Sequence, residues 1–106
     1  MGLIRHSGED AFLEAVLSLQ TIEECRAFFD DVCTIKELQS MAQRFQVACL
    51  LSAGNNYVEV RDATGASSAT ISRVNKCLTC GSGYRTALEH MKKEGKIQND
   101  GCDFKE

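Results

Sequence analysis

The stretch from Tyr57 to Leu78 limits the possible folds most strongly, because it reads as two short helices separated by a tight turn. Gly65 stands between two apolar patterns and tolerates the positive φ that a sharp turn between helices requires. After it, Ile71, Val74 and Leu78 recur at i, i+3 and i+7, which gives the second helix one apolar side. The spacing therefore predicts a helix-turn-helix over about residues 57–78.

The opposite side of the predicted second helix carries only small, polar or basic side chains. Ser67 or Ser68 is placed to cap its first turn, because a serine hydroxyl accepts hydrogen bonds from free backbone amides there. A short polar face without an acidic residue can enter a DNA major groove, where long or acidic side chains would clash or be repelled. The residues predicted to face DNA are Ser67, Ser68, Ala69, Ser72, Asn75 and Lys76.

A purely structural role for this hairpin is the first alternative. A glycine followed by an apolar stripe also occurs in ordinary helical hairpins, and Arg61 stands four residues before Gly65, where DNA-reading hairpins usually carry a small residue. The second alternative is a helical dimer that binds another protein and does not read DNA. Retardation of random-sequence DNA at low salt, lost at moderate salt, would discriminate between DNA binding and both alternatives.

Charge is distributed unevenly along the chain, although the formal net charge is only −3. Between Glu9 and Glu37 there are eight acidic and two basic residues, whereas between Tyr57 and Arg85 there are four basic and two acidic residues. Contact with double-stranded DNA is therefore expected through the second half alone. The sequence shows no nucleophile with a neighbouring base and no glycine-rich phosphate loop, so it predicts no enzyme.

The remaining segments predict an all-α chain of six helices, with no proline to interrupt them. Capping boxes at Thr21–Glu24 and Thr34–Glu37 mark the starts of the second and third helices. The first helix, about residues 8–19, is apolar on nearly every side, which indicates that a second copy of the chain covers part of it. Further helices are predicted at about 35–53 and 84–93. Residues 1–95 are predicted to form one domain, and residues 96–106 a disordered tail.

Six cysteines are compatible with a disulfide framework, but the positions of three of them indicate buried, reduced residues instead. Cys25, Cys33 and Cys49 fall on apolar helical faces, where cysteine behaves as a small buried residue, so a reduced, cytoplasmic protein is expected. Cys77 and Cys80 form a CxxC pair, yet no second closely spaced ligand pair accompanies them, and no metal site is predicted. No apolar run approaches the ~20 residues of a membrane span.

The chain resembles the tryptophan repressor family in two places. One is the run ATISR from Ala69 to Arg73, followed by Asn75 and Leu78, and the other is QRFQVACLL from Gln43 to Leu51. The likeness covers roughly residues 13–91. It implies an intertwined homodimer whose two hairpins meet successive major grooves of a near-palindromic operator, about 34 Å apart. It also implies a DNA contact at Arg61 and a role as a repressor.

The resemblance further implies a corepressor pocket, whose residues fall on Arg44, Thr70, Arg73 and Cys77 in this chain. Where the tryptophan repressor has a glycine and a serine beside its ligand, this chain has Val74 and Cys77. A valine takes up space that an indole ring would need, and a thiol is a weak hydrogen-bonding partner. An effector other than tryptophan, such as another small anion, is therefore expected if one binds. Ion pairs or phosphate contacts are the alternative roles for Arg44 and Arg73.

Overall fold

The computed structural model describes residues 7–97, which contain six α-helices and no strand. The helices are α1 (Gly8–Ser18), α2 (Ile22–Val32), α3 (Ile35–Ser52), α4 (Tyr57–Thr64), α5 (Ser68–Cys80) and α6 (Gly83–Lys93). The all-α prediction with six helices is confirmed for the described residues. The bounds predicted for the first, third and last helices agree with those of α1, α3 and α6 to within one residue, and the hairpin predicted over about residues 57–78 extends to Cys80. None of the described helices is both long and apolar enough to cross a lipid bilayer.

Side-chain caps explain why α2 and α3 begin where they do. The Thr21 hydroxyl accepts from the Glu24 amide at 3.0 Å, and the Thr34 hydroxyl accepts from the Glu37 amide at 3.1 Å. In the second pair the Glu37 carboxylate also accepts from the Thr34 amide at 2.8 Å, which completes a reciprocal capping box. In the first pair the carboxylate accepts instead from the amide of Gln20, one residue earlier.

The chain divides into two compact units, of which the first extends to Leu38. In it Phe12, Phe28 and Phe29 form an aromatic cluster with ring centroids 5.4–6.3 Å apart. Several other large apolar side chains of this unit remain exposed, among them Leu13, Leu17, Ile22, Val32 and Ile35. Within one copy of the chain, the described residues of this unit therefore bury only part of their apolar surface.

The second unit begins at Gln39 and has a continuous apolar core. The core consists of Val47, Ala48, Val60, Ala66, Ile71 and Val74, contributed by α3, α4, the following turn and α5. A neighbouring cluster joins Cys49 of α3 to Leu88 of α6 and to Ile97. The predicted tail began at residue 96, and residues 98–106 lie outside the described part of the chain. The domain boundary and the tail therefore stay predictions.

The cysteines of the described helices fall into two groups. Cys25 and Cys33 are half-buried free thiols, and Cys77 and Cys80 are exposed free thiols. Cys49 is buried in the second unit but is disulfide-bonded, so the prediction that it is a reduced core residue is wrong. An apolar helical position shows that a cysteine is hidden from water, but it does not show whether another cysteine lies within bonding distance.

The turn between α4 and α5 depends on the left-handed backbone of Gly65, which has φ 74° and ψ 6°. An alanine there would meet no atom within 4 Å, so the penalty of Gly65→Ala is purely conformational. We expect it to lower the free energy of unfolding by about 1 kcal/mol, measured by urea titration at fixed protein concentration. Gly83→Ala is the matched control, because Gly83 is helical and equally unobstructed. An unchanged Gly65→Ala protein would contradict the requirement for positive φ.

Candidate nucleic-acid interface

The α4–α5 hairpin is held at both helix starts by side-chain caps. Asn56 and Glu59 form a reciprocal capping box at the start of α4, with bonds of 2.9 Å and 2.8 Å. Ser67 is the N-cap of α5: its hydroxyl accepts from the Thr70 amide at 3.2 Å and lies 3.1 Å from the Thr70 hydroxyl. Of the two serines proposed from sequence, Ser67 therefore caps the helix, and Ser68 is its first helical residue.

The two sides of α5 differ sharply in exposure. Ile71 and Val74 are each 1% exposed and belong to the core of the second unit. The other side projects away from that core, and α5 contains no acidic residue. The residues predicted from sequence to face DNA have the following exposures: Ser67, Ser68, Ala69, Ser72 and Lys76 are exposed, and Asn75 is half-buried. The surface formed by these six residues is called the α5 outer face below.

The basic side chains of α4 and α5 have few competing partners. Among residues 7–97, Arg73 and Lys76 make no ion pair, so their charges are not neutralised locally. Arg61 of α4 lies 3.4 Å from the Asp62 carboxylate, and both side chains are exposed. A pair of this kind in water contributes little and is readily exchanged for another anion. Three cations are thus available close in sequence to the α5 outer face.

Of the four residues that the family resemblance assigns to an effector pocket, three lie on one side of α5 and the fourth lies on α3. Thr70, Arg73 and Cys77 follow one another at i, i+3 and i+7, so they share one side of α5. Arg73 and Cys77 are exposed, whereas Thr70 is half-buried and engaged with Ser67. Arg44 of α3 is half-buried, and no hydrogen bond or ion pair within the described residues links it to the other three. Among residues 7–97, Arg44 and Arg73 thus have none of the carboxylate partners that the alternative interpretation as ion pairs requires.

The Cys77–Cys80 pair offers no more than two sulfur ligands. Within the described part of the chain, no group of three or more His, Cys, Asp or Glu side chains is arranged to hold a metal ion. The Cys80 sulfur lies 3.7 Å from the hydroxyl of Thr79, its neighbour in the last turn of α5.

Two structural features of the hairpin were not predicted from the sequence. The Asn56–Glu59 capping box has a recognisable signal, since Asn is a favoured N-cap and Glu follows three residues later. The other feature is a hydrogen bond of 3.1 Å from the Gln43 side-chain amide to the Thr64 carbonyl. Nothing local in the sequence points to it, because the two residues are 21 positions apart.

Among residues 7–97, the six helices include a tightly turned hairpin, α4–α5, that is capped at both helix starts. The outer face of α5 carries no acidic residue. These features define the class of the protein as an all-α chain with an exposed helical hairpin. The chain belongs to the family described as Trp repressor protein, whose sequence profile matches residues 7–92. The family resemblance found in the sequence is thereby confirmed.

Three relatives show how far the likeness extends. Uncharacterized protein YerC of Bacillus subtilis (strain 168) is 51% identical over 85 residues, covering 79% of this chain and 82% of YerC. A crystal structure of a Staphylococcus aureus protein, provisionally assigned as a Trp repressor, superposes with a TM-score of 0.77 at 41% identity, covering 87% of this chain and 95% of that one. A TrpR-like protein from Eubacterium eligens ATCC 27750 gives 0.79 at 40% identity, covering 87% and 96%.

Proposed function

We propose that this chain is a cytoplasmic, sequence-specific DNA-binding regulator that represses transcription by occupying a promoter. The observation that carries the proposal is the sidedness of α5, whose apolar side is buried while its acid-free outer face is exposed. A major groove is about 12 Å wide and admits one α-helix with short side chains. Membership of the Trp repressor family supports the same function.

The chemistry of the α5 outer face assigns a role to each residue. The hydroxyls of Ser68 and Ser72 donate to or accept from base edges, and the methyl group of Ala69 contacts a thymine methyl. Asn75 pairs with an adenine edge through its amide. Lys76 and Arg61 bind phosphates and set the register of the hairpin on the duplex, as does the free amide end of α5 at Ser67.

A homodimer is the second part of the proposal. Leu17, Ile22 and Ile35 of the first unit are 80%, 70% and 74% exposed, which is costly for large apolar side chains left in water. A second copy of the chain covers this surface with its own equivalent surface, as in a two-fold symmetric interface. Two copies present two hairpins, and a near-palindromic operator with half-sites about 34 Å apart matches them.

A small anionic effector other than tryptophan is the third part. Arg73 makes no ion pair with any residue in the described part of the chain, and it shares a side of α5 with Thr70 and Cys77. We therefore assign these three groups, together with Arg44, to effector binding. Val74 is buried among Val47, Val60 and Ile71. The space around its side chain is filled by protein, which argues against an indole ring in contact with it.

Selection of bound duplexes from a random pool tests the central proposal. We expect one near-palindromic sequence to be enriched over background, and a duplex of that sequence to be retarded at physiological salt. Binding to random duplexes should appear only at low salt and disappear at moderate salt. If no sequence is enriched and no retardation occurs even at low salt, the chain does not read DNA, and the helical dimer that binds another protein becomes the better reading.

Neutralisation of single cations tests which groups meet phosphates. We expect Lys76→Gln and Arg61→Gln each to weaken binding and to reduce the slope of log affinity against log salt by about one unit per lost contact, hence about two in a dimer. Lys36→Gln is the control, because Lys36 is an exposed cation in the acidic half of the chain. Equal slopes for all three variants would remove Lys76 and Arg61 from the interface.

A charge placed on the exposed apolar surface tests the dimer. We expect Leu17→Glu to shift sedimentation from dimer to monomer, because the carboxylate would have to be buried at the interface. Ser52→Glu adds the same charge at an exposed polar position at the end of α3 and serves as the control. A wild-type chain that sediments as a monomer, or a Leu17→Glu variant that stays dimeric, would contradict the assignment of this surface.

A further inference from the structure

Gln43 makes the one side-chain hydrogen bond among residues 7–97 that joins distant parts of the chain. Its Nε2 donates to the Thr64 carbonyl at 3.1 Å across 21 residues of sequence. Every other side-chain hydrogen bond between described residues joins partners five or fewer positions apart. A single directional contact therefore links the middle of α3 to the end of α4.

The acceptor end of this bond is part of the turn that leads into α5. Thr64 is the last residue of α4, so its carbonyl has no partner within the helix. Its hydroxyl donates to the Val60 carbonyl at 2.8 Å and accepts from the Ala66 amide at 3.1 Å. Ala66 is buried in the core and immediately precedes the N-cap Ser67. Gln43 thus holds the residue that fixes the entry of the chain into α5.

We propose that Gln43 is a positioning residue for DNA reading, which sets the orientation of the α4–α5 hairpin on α3. The apolar core beneath the hairpin is non-directional, so small rotations of α5 change its contacts little. A hydrogen bond depends steeply on distance and angle, and it selects one of these orientations. The inference rests on the proposed function, because only a protein that reads bases needs α5 in one orientation.

Loss of the Gln43 bond should therefore affect two kinds of binding differently. Base contacts require donors and acceptors to meet within a few tenths of an ångström, and a dimer requires this at both half-sites. Binding to random DNA depends on charge and tolerates many orientations. The ratio of specific to non-specific affinity is consequently the quantity that reports on positioning.

The test compares Gln43→Met with Gln46→Met. Both replace a half-buried glutamine of α3 by an uncharged side chain of similar length, but Gln46 makes no side-chain hydrogen bond among the described residues. For Gln43→Met we expect about tenfold faster hydrogen exchange at the Ala66 amide, and a fall of about tenfold or more in affinity for the selected duplex. Affinity for random duplexes should change less than twofold. Gln46→Met should match the wild type in all three measurements.

Gln43→Asn keeps the amide but shortens its reach by one methylene group, and it replaces Gln43→Met if that variant does not fold. The inference is overturned if exchange and the affinity ratio stay at wild-type values. It is also overturned if both affinities fall equally together with thermal stability, because Gln43 would then only stabilise the fold. A wild-type protein that selects no sequence refutes the proposed function instead, while the exchange measurement still reports whether Gln43 restrains the turn.

Discussion

The burial of Ile71 and Val74 is the constraint on which the hairpin depends. Transfer of each of these side chains from water to the core is worth roughly 1.5–3 kcal/mol. Because both lie on one side of α5, their burial determines which side of the helix faces the core, and the period of the helix then turns Ser68, Ser72 and Lys76 outwards. The same core includes Val47 of α3 and Val60 of α4, so one set of contacts both docks the hairpin and orients its outer face.

In the second unit, apolar packing provides stability, whereas hydrogen bonds and backbone conformation determine where the helices begin and how they are oriented. The core provides most of the stabilisation but would tolerate small changes in the angle of α5. Caps at Asn56 and Ser67 determine where each helix begins, and the left-handed Gly65 determines how sharply the chain turns between them. The Gln43–Thr64 bond is the one side-chain hydrogen bond among residues 7–97 that joins this hairpin to a distant part of the chain.

The sequence was sufficient for features with a local cause. Helix type followed from apolar spacing, and helix starts followed from caps such as Thr34–Glu37, because both signals lie within a few residues. Features with a distant cause were not accessible in this way. The Gln43–Thr64 contact requires knowledge of how α3 passes the end of α4, and the disulfide at Cys49 requires knowledge of which cysteine approaches it. The division after Leu38 also depends on tertiary contacts.

The residues proposed to bind an effector were located by two different kinds of signal. Thr70, Arg73 and Cys77 could be placed on one side of α5 from helical periodicity alone, whereas Arg44 could be related to them only through the family likeness. The exposure of Arg73 and the engagement of Thr70 with Ser67 were not predictable, because both depend on how α5 is capped and docked.

On the proposed function, the uneven charge of the chain explains why a dimer and a reading helix occur together. One hairpin offers few cations, namely Arg61, Arg73 and Lys76, and the whole chain has a net charge of −3. Charge alone therefore gives a single copy little affinity for DNA. When two hairpins are joined, binding of the second becomes intramolecular, and affinity rises without any additional contact, provided that both meet the duplex together. The exposed apolar residues of the first unit and the exposed polar residues of α5 are in this sense two requirements of one binding event.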